Sequence, residues 1–129
     1  MGVKSLDHVT VVVADLDASR AFYVEALGMR EVERPAFSFD GMWLQASSTQ
    51  VHFIVEHEQS SPAGNPVPEE ERAARAPHFA FVIEDAEAFV ARLKSLDVPI
   101  ASGPDERPDG ALQIFLYDPD GHLVELCAK

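Results

Sequence analysis

The chain has 129 residues, 47% apolar and 25% charged, the balance of one ordinary globular domain or two small halves sharing a core. A formal charge of −12 argues against a nucleic-acid backbone or an anionic membrane as partner, because both require a basic surface. No apolar run reaches the length of a membrane span, and the opening MGVKSL lacks the apolar core of a secretory signal and the Ser or Thr of a myristoylation motif. The single cysteine, Cys127, excludes an intrachain disulfide and points to a cytoplasmic protein.

Leu6 to Val13 (LDHVTVVV) is rich in β-branched residues and is predicted as a strand, with Val9, Val11 and Val13 on one face and His8, Thr10 and Val12 on the other. Asp15 or Asp17 can cap a helix running to about Leu27, where Gly28 stops it. Met29 to Glu33, Phe37 to Ala46 and Gln50 to Glu56 are predicted as three further strands. His57 to Ala76 then breaks the pattern with Pro, Ser, Gly and Asn, followed by a short charged helical candidate. So long a connection suits a linker, a lid, or an arm crossing to a second subunit.

The second half repeats the first. Pro77 to Ile83 is a predicted strand, Asp85 opens a helix through about Leu96, Val98 to Ala101 is a strand, and Gly103 to Gly110 a loop. Leu112 to Cys127 (LQIFLYDPDGHLVELC) is predicted as a β-hairpin around Asp118-Pro119-Asp120-Gly121. The expected fold is α+β: two tandem βαβββ modules, residues 1–56 and 77–129, joined by 57–76 within one domain. Their curled mixed sheet would form a cup around a central site, with the helices outside.

The register of the copies agrees. His8 precedes Asp15 by the same interval as His78 precedes Asp85, and His52 and Glu125 occupy the last strand of each half. A lone strand histidine is usually a hydrogen-bonded core residue, and a strand glutamate usually sits on a wet face. Four such residues in matching registers are better explained as ligands converging on a pseudo-two-fold axis. His8, His52, His78 and Glu125 therefore form a candidate site for one divalent metal, with Zn, Ni, Fe, Mn and Co all compatible. His57 and His122 lack this placement and are expected in solvent. Tyr117 and Gln113 could line a pocket but are expected to fill core, and Arg20, Arg30 and Arg34 are candidate anion contacts expected to be ordinary surface charges.

The segments DHVTVVVADLDASRAFYVEALGM, APHFAFVIEDAEAFVARL and DPDGHLVEL together resemble the vicinal oxygen chelate superfamily, also called the glyoxalase, bleomycin-resistance and extradiol dioxygenase family. The resemblance spans nearly the whole chain. It implies paired βαβββ modules around a metal and, for chains of this length, a homodimer, in some members with each site shared between subunits. It also implies that His8, His52, His78 and Glu125 stand at the ligand positions. Glyoxalase I usually carries Glu or Gln where His52 stands, and its glutathione-contacting arginine has no secure counterpart. A lyase or isomerase acting on vicinal oxygens, with Glu125 as base and His52 as ligand or second acid/base, is the first functional expectation. An Fe(II) dioxygenase using His8, His78 and Glu125 is the second, and a non-catalytic binder of small molecules the third. A fosfomycin-type thiol transferase is a fourth. It needs a monovalent-cation loop and a basic pocket, and this acidic chain shows neither clearly.

Overall fold

A computed structural model describes residues 1–64 and 75–129. The chain divides into two compact units, Met1–Gly64 and Asn65–Lys129. The charged helical candidate before Ala76 falls largely on residues 65–74, outside the described residues.

In the first unit, β1 (His8–Val13) is followed by α1 (Leu16–Arg20), which continues as a π-helical segment (Ala21–Ala26). Strands β2 (Arg30–Val32), β3 (Gly41–Ala46) and β4 (Thr49–Val55) complete it. The sheet order is β1-β4-β3-β2. β1 pairs parallel to β4, which requires a crossover, and the helix after β1 supplies it. Asp15 is the cap: its Oδ1 accepts the Asp17 N–H at 2.8 Å. Beyond Arg20 the bonding loosens, with the Leu27 N–H donating to the Phe22 carbonyl five residues back, and Gly28 turns the chain away at φ +82°. Val11 and Val13 of β1 and Val51 and Phe53 of β4 are buried, as are Phe22, Tyr23 and Ala26. His8 and Thr10 face outward in the predicted alternation.

The second unit repeats this order as β5 (Phe79–Ile83), α2 (Ala86–Ser95), β6 (Ser102–Glu106), β7 (Leu112–Tyr117) and β8 (Leu123–Ala128), with sheet order β5-β8-β7-β6. Asp85 caps α2 through the Ala88 N–H at 3.0 Å. β8 lies between β5 and β7, and Leu123 to Cys127 are all buried, Glu125 included. The fold class, the two-module plan and both helix caps follow the sequence expectation.

Four local expectations are corrected. The third strand starts at Gly41 rather than Phe37, because Phe37 and Phe39 stack on each other and on Arg34 instead of joining the ladder. The strand expected at Val98 to Ala101 lies at Ser102–Glu106, inside the expected loop, with a register shift between Ser102 and Asp105. His122 is buried rather than solvated: Asp118 Oδ1 accepts the backbone N–H groups of Asp120 and His122 at 2.9 and 2.8 Å, folding the turn inward. Tyr117 is 43% exposed rather than core, while its neighbour-but-one Phe115 is the buried aromatic on that face.

Candidate metal centre

Each unit brings its own pair of candidate ligands together by the same strand register. In the first, His52 pairs with Thr10 on β1 and with Trp43 on β3, and His8 lies two residues before Thr10. In the second, Glu125 pairs with Ala80 on β5 and with Phe115 on β7, and His78 lies two residues before Ala80. The side-chain period of two puts each diagonal pair on one face. The His8 and His52 rings stack at 3.9 Å between centroids, 15° apart. His78 Nε2 lies 3.1 Å from Glu125 Oε1. Among the described residues no three His, Cys, Asp or Glu side chains form one metal-binding group. The geometry therefore shows two pairs, one in each unit.

Hydrogen bonding fixes which nitrogen each imidazole presents. His8 Nδ1 lies 2.8 Å from Asp7 Oδ2, a carboxylate that only accepts, so Nδ1 carries a proton. His78 Nδ1 donates to the Ala76 carbonyl at 2.6 Å, and its Nε2 is hydrogen-bonded to Glu125 Oε1 at 3.1 Å. For His52 the assignment runs through two amides. Gln45 Nε2 donates to the Ser47 carbonyl at 2.7 Å, so Gln45 Oε1 accepts from Gln50 Nε2 at 3.1 Å. Gln50 Oε1 then faces His52 Nε2 at 2.7 Å, which must donate, and Nδ1 is left bare. All three histidines are thus oriented by an outer partner in the manner of metal-ligating imidazoles.

Electrostatics support this reading for His52. Burial lowers its pKa from the ordinary value, and the neighbouring His8 lowers it further, so the ring stays neutral near pH 7 and its lone pair stays available. Trp43 stacks on His52 at 3.9 Å with the planes 2° apart. Glu125, 4% exposed, sits in a fully buried stretch of strand and not on a wet face. Glu125 Oε1 only accepts when ionised, so its hydrogen bond with His78 uses a proton on Nε2, the place a bound cation would take. Imidazole and carboxylate are both ligand types that a first-row divalent ion accepts.

A family model of the Glyoxalase/Bleomycin resistance protein/Dioxygenase superfamily matches residues 5–126. The chain belongs to that superfamily. Among its relatives in the superfamily, "Glyoxylase I 4" of Arabidopsis thaliana is 27% identical over 97% of this chain and 71% of its own length. "Glutathione transferase FosA" of Serratia marcescens is 29% identical over 96% of this chain and 80% of its own. Of the solved superfamily structures, a glyoxalase/dioxygenase from Nostoc punctiforme is 30% identical and superimposes with a TM-score of 0.78, over 98% of this chain and 91% of that one. Relatives at similar identity thus carry names for different reactions, and the superfamily fixes the fold more tightly than the chemistry.

The sequence reading singled out all four paired residues. It passed over Asp7, Gln45, Gln50 and Trp43, which orient or cover the first pair. The signal for three of them was present: Gln50 shares the period-two face of His52, and Gln45 and Trp43 share the facing one on β3. A cavity of about 350 Å³ in the first unit is bordered by Phe39, Asp40, Glu56 and His57 and includes neither His8 nor His52. Arg20 is the surface charge expected, bound to Glu31 at 2.8 and 3.2 Å and to Asp17 at 3.1 Å.

Proposed function

We propose that the protein is a small metal-dependent enzyme that moves a proton on a substrate with two neighbouring oxygens, as a lyase or isomerase. His8 and His52 form one half of the ligand set, and His78 and Glu125 the other. The observation that carries this reading is the facing of His78 Nε2 and Glu125 Oε1 across 3.1 Å, with the outer nitrogen already committed to Ala76. An imidazole and a buried carboxylate at that distance share a proton when no metal is bound and offer two ligand atoms when one is. A bound divalent ion would act as a Lewis acid on the two substrate oxygens.

The chain's own groups supply the rest. Glu125 accepts the proton leaving the substrate carbon, and burial keeps competing water from the carboxylate. His52 Nδ1, the one bare nitrogen of its neutral ring, serves as fourth ligand or as proton carrier. Asp7, Gln50 and the Ala76 carbonyl hold the three rings in the required tautomers. The substrate is a small molecule. The protein works as a homodimer in the cytoplasm, in keeping with the acidic surface and the single buried cysteine. No described helix is long and apolar enough to cross a membrane.

One observation favours a second reading. His52 is sandwiched between His8 and Trp43 with Nε2 tied to Gln50, which would leave His8, His78 and Glu125 as a two-histidine, one-carboxylate set suited to Fe(II) and dioxygen. The deciding experiment measures turnover of the hemithioacetal of methylglyoxal and a thiol by zinc- or nickel-loaded protein, in parallel with oxygen uptake on catechol by anaerobically iron-loaded protein. Metal-dependent isomerisation lost in Glu125→Gln supports the first reading. Oxygen uptake without isomerisation replaces it with the second, and neither activity with any metal leaves a binding protein.

A further inference from the structure

The internal repeat extends to an arginine. Arg34, between β2 and β3, precedes His52 by the same interval as Arg107, between β6 and β7, precedes Glu125. The two arginines have diverged. Arg107 is clamped by Asp109 in a two-pronged ion pair, Nε to Oδ1 at 2.9 Å and Nη2 to Oδ2 at 2.7 Å. Arg34 has no ion pair among the described residues, in a chain with a formal charge of −12. Its guanidinium lies over the rings of Phe37 and Phe39, at 4.8 and 5.1 Å, and its one described hydrogen bond runs from Nη2 to the Phe39 carbonyl at 3.0 Å. Gly41 makes room for it: a Cβ there would stand 2.9 Å from Arg34 Nη2.

The aromatic rings under Arg34 lead to the first ligand pair. Phe37 meets Trp43 at 6.3 Å, Trp43 stacks on His52 at 3.9 Å, and His52 stacks on His8 at 3.9 Å. Phe37 is 47% exposed and Trp43 half-buried, so a flat ligand can pack on these two rings at the outer end of the row. A guanidinium left with free N–H donors beside aromatic faces and a lone-pair nitrogen presents three complementary features in a line: a fork for a carboxylate, a surface for a planar ring, and a metal-ligand pair.

We propose that Arg34, with Phe37 and Trp43, is a specificity determinant that selects a planar, aromatic substrate bearing a carboxylate, whose vicinal oxygens reach the His8/His52 pair. Arg107, neutralised by Asp109, plays no such part, so the duplicated arginine serves substrate binding in only one module. This rests on the proposed metal site for the placement of the oxygens, but not for the carboxylate or ring contacts.

Trp43 is the only tryptophan, so its fluorescence reports directly on a ligand stacked there. The probes are 3,4-dihydroxybenzoate, whose carboxylate and vicinal oxygens lie at opposite ends of its ring, and catechol, which lacks the charge. Both are titrated into full-length metal-free and zinc-loaded protein, with Arg34→Gln and Arg34→Lys alongside and circular dichroism confirming the fold of each. 3,4-Dihydroxybenzoate is expected to quench Trp43 and bind at least about tenfold more weakly to Arg34→Gln, with Arg34→Lys intermediate and catechol unaffected. Raised salt should weaken 3,4-dihydroxybenzoate alone. The proposal is overturned if 3,4-dihydroxybenzoate fails to bind, or if Arg34→Gln leaves its affinity unchanged or weakens both probes equally. An Arg34 effect in protein that binds no zinc would sink the metal reading and leave this one standing. Zinc binding with no Arg34 effect would do the reverse.

Discussion

Replacing Glu125 by Gln separates a carboxylate kept for a metal from one kept for the fold. Without metal, His78 Nε2 faces a carboxylate at 3.1 Å, and a proton must be shared for the two to coexist. A glutamine amide of the same shape can donate to that nitrogen directly, so metal-free Glu125→Gln should fold with a stability within about 1 kcal/mol of the parent. With metal the two proteins part. Unfolding entropy of about 2.1 cal/mol/K per residue gives this 129-residue chain about 0.27 kcal/mol/K. Zinc at about 100 times its Kd adds about 2.7 kcal/mol, hence a rise in Tm of about 10 °C. Loss of the anionic ligand should weaken binding at least about 100-fold, leaving about 0.4 kcal/mol and a rise of about 1.5 °C. Calorimetric melts of both proteins, metal-free and with the same zinc excess, measure all four values. A full zinc shift in Glu125→Gln would refute the ligand role. A loss of more than about 3 kcal/mol in the metal-free variant would show that the carboxylate is structural instead.

His52 carries a pH dependence with a definite sign. Its folded-state pKa lies below the ordinary value, through burial first and His8 second, so between the two values the unfolded chain binds more protons than the folded one. Stability should therefore be intact above about pH 6.5 and fall as the pH drops through the window below it, and His52→Gln should flatten that slope in Tm measured from about pH 7.5 to 5. Gly41→Ala should lower stability by about 1–3 kcal/mol in urea unfolding, because a Cβ there meets the Phe53 carbonyl of the paired strand, which cannot step aside as a flexible side chain could. An unchanged midpoint would contradict the close approach of β3 and β4 at that position.

Much of this fold could be read before any coordinates, and the reasons are local. Val9 to Val13 alternate and are β-branched, Asp15 and Asp85 stand where a cap must stand, and the hairpin turn is spelled out by Asp118 to Gly121. The two side-chain pairs were legible because a repeat doubles a weak signal: neither His8 nor Glu125 is informative alone, but the same diagonal occurs in both modules. What escaped the sequence depended on tertiary competition. Phe37 and Phe39 look like strand residues, yet Arg34 offers them a stacking partner that the ladder does not. Ser102 to Glu106 contains Gly and Pro and reads as loop, but pairing with β7 overrides that preference. His122 reads as solvated because its neighbours are turn formers, and the Asp118 carboxylate, holding its backbone N–H, draws the turn inward. The tautomer of His52 could not be inferred at all, since it depends on a chain of amides ending at the Ser47 carbonyl.

Whether both modules serve one cation, as proposed, is tested most directly by a cobalt(II) titration followed by its visible spectrum. The account predicts one ion per chain in the parent protein, and an affinity reduced by a similar large factor in His8→Ala and in His78→Ala, although the two residues belong to different modules. Undiminished cobalt binding in either variant, or two independent ions per chain, would contradict it.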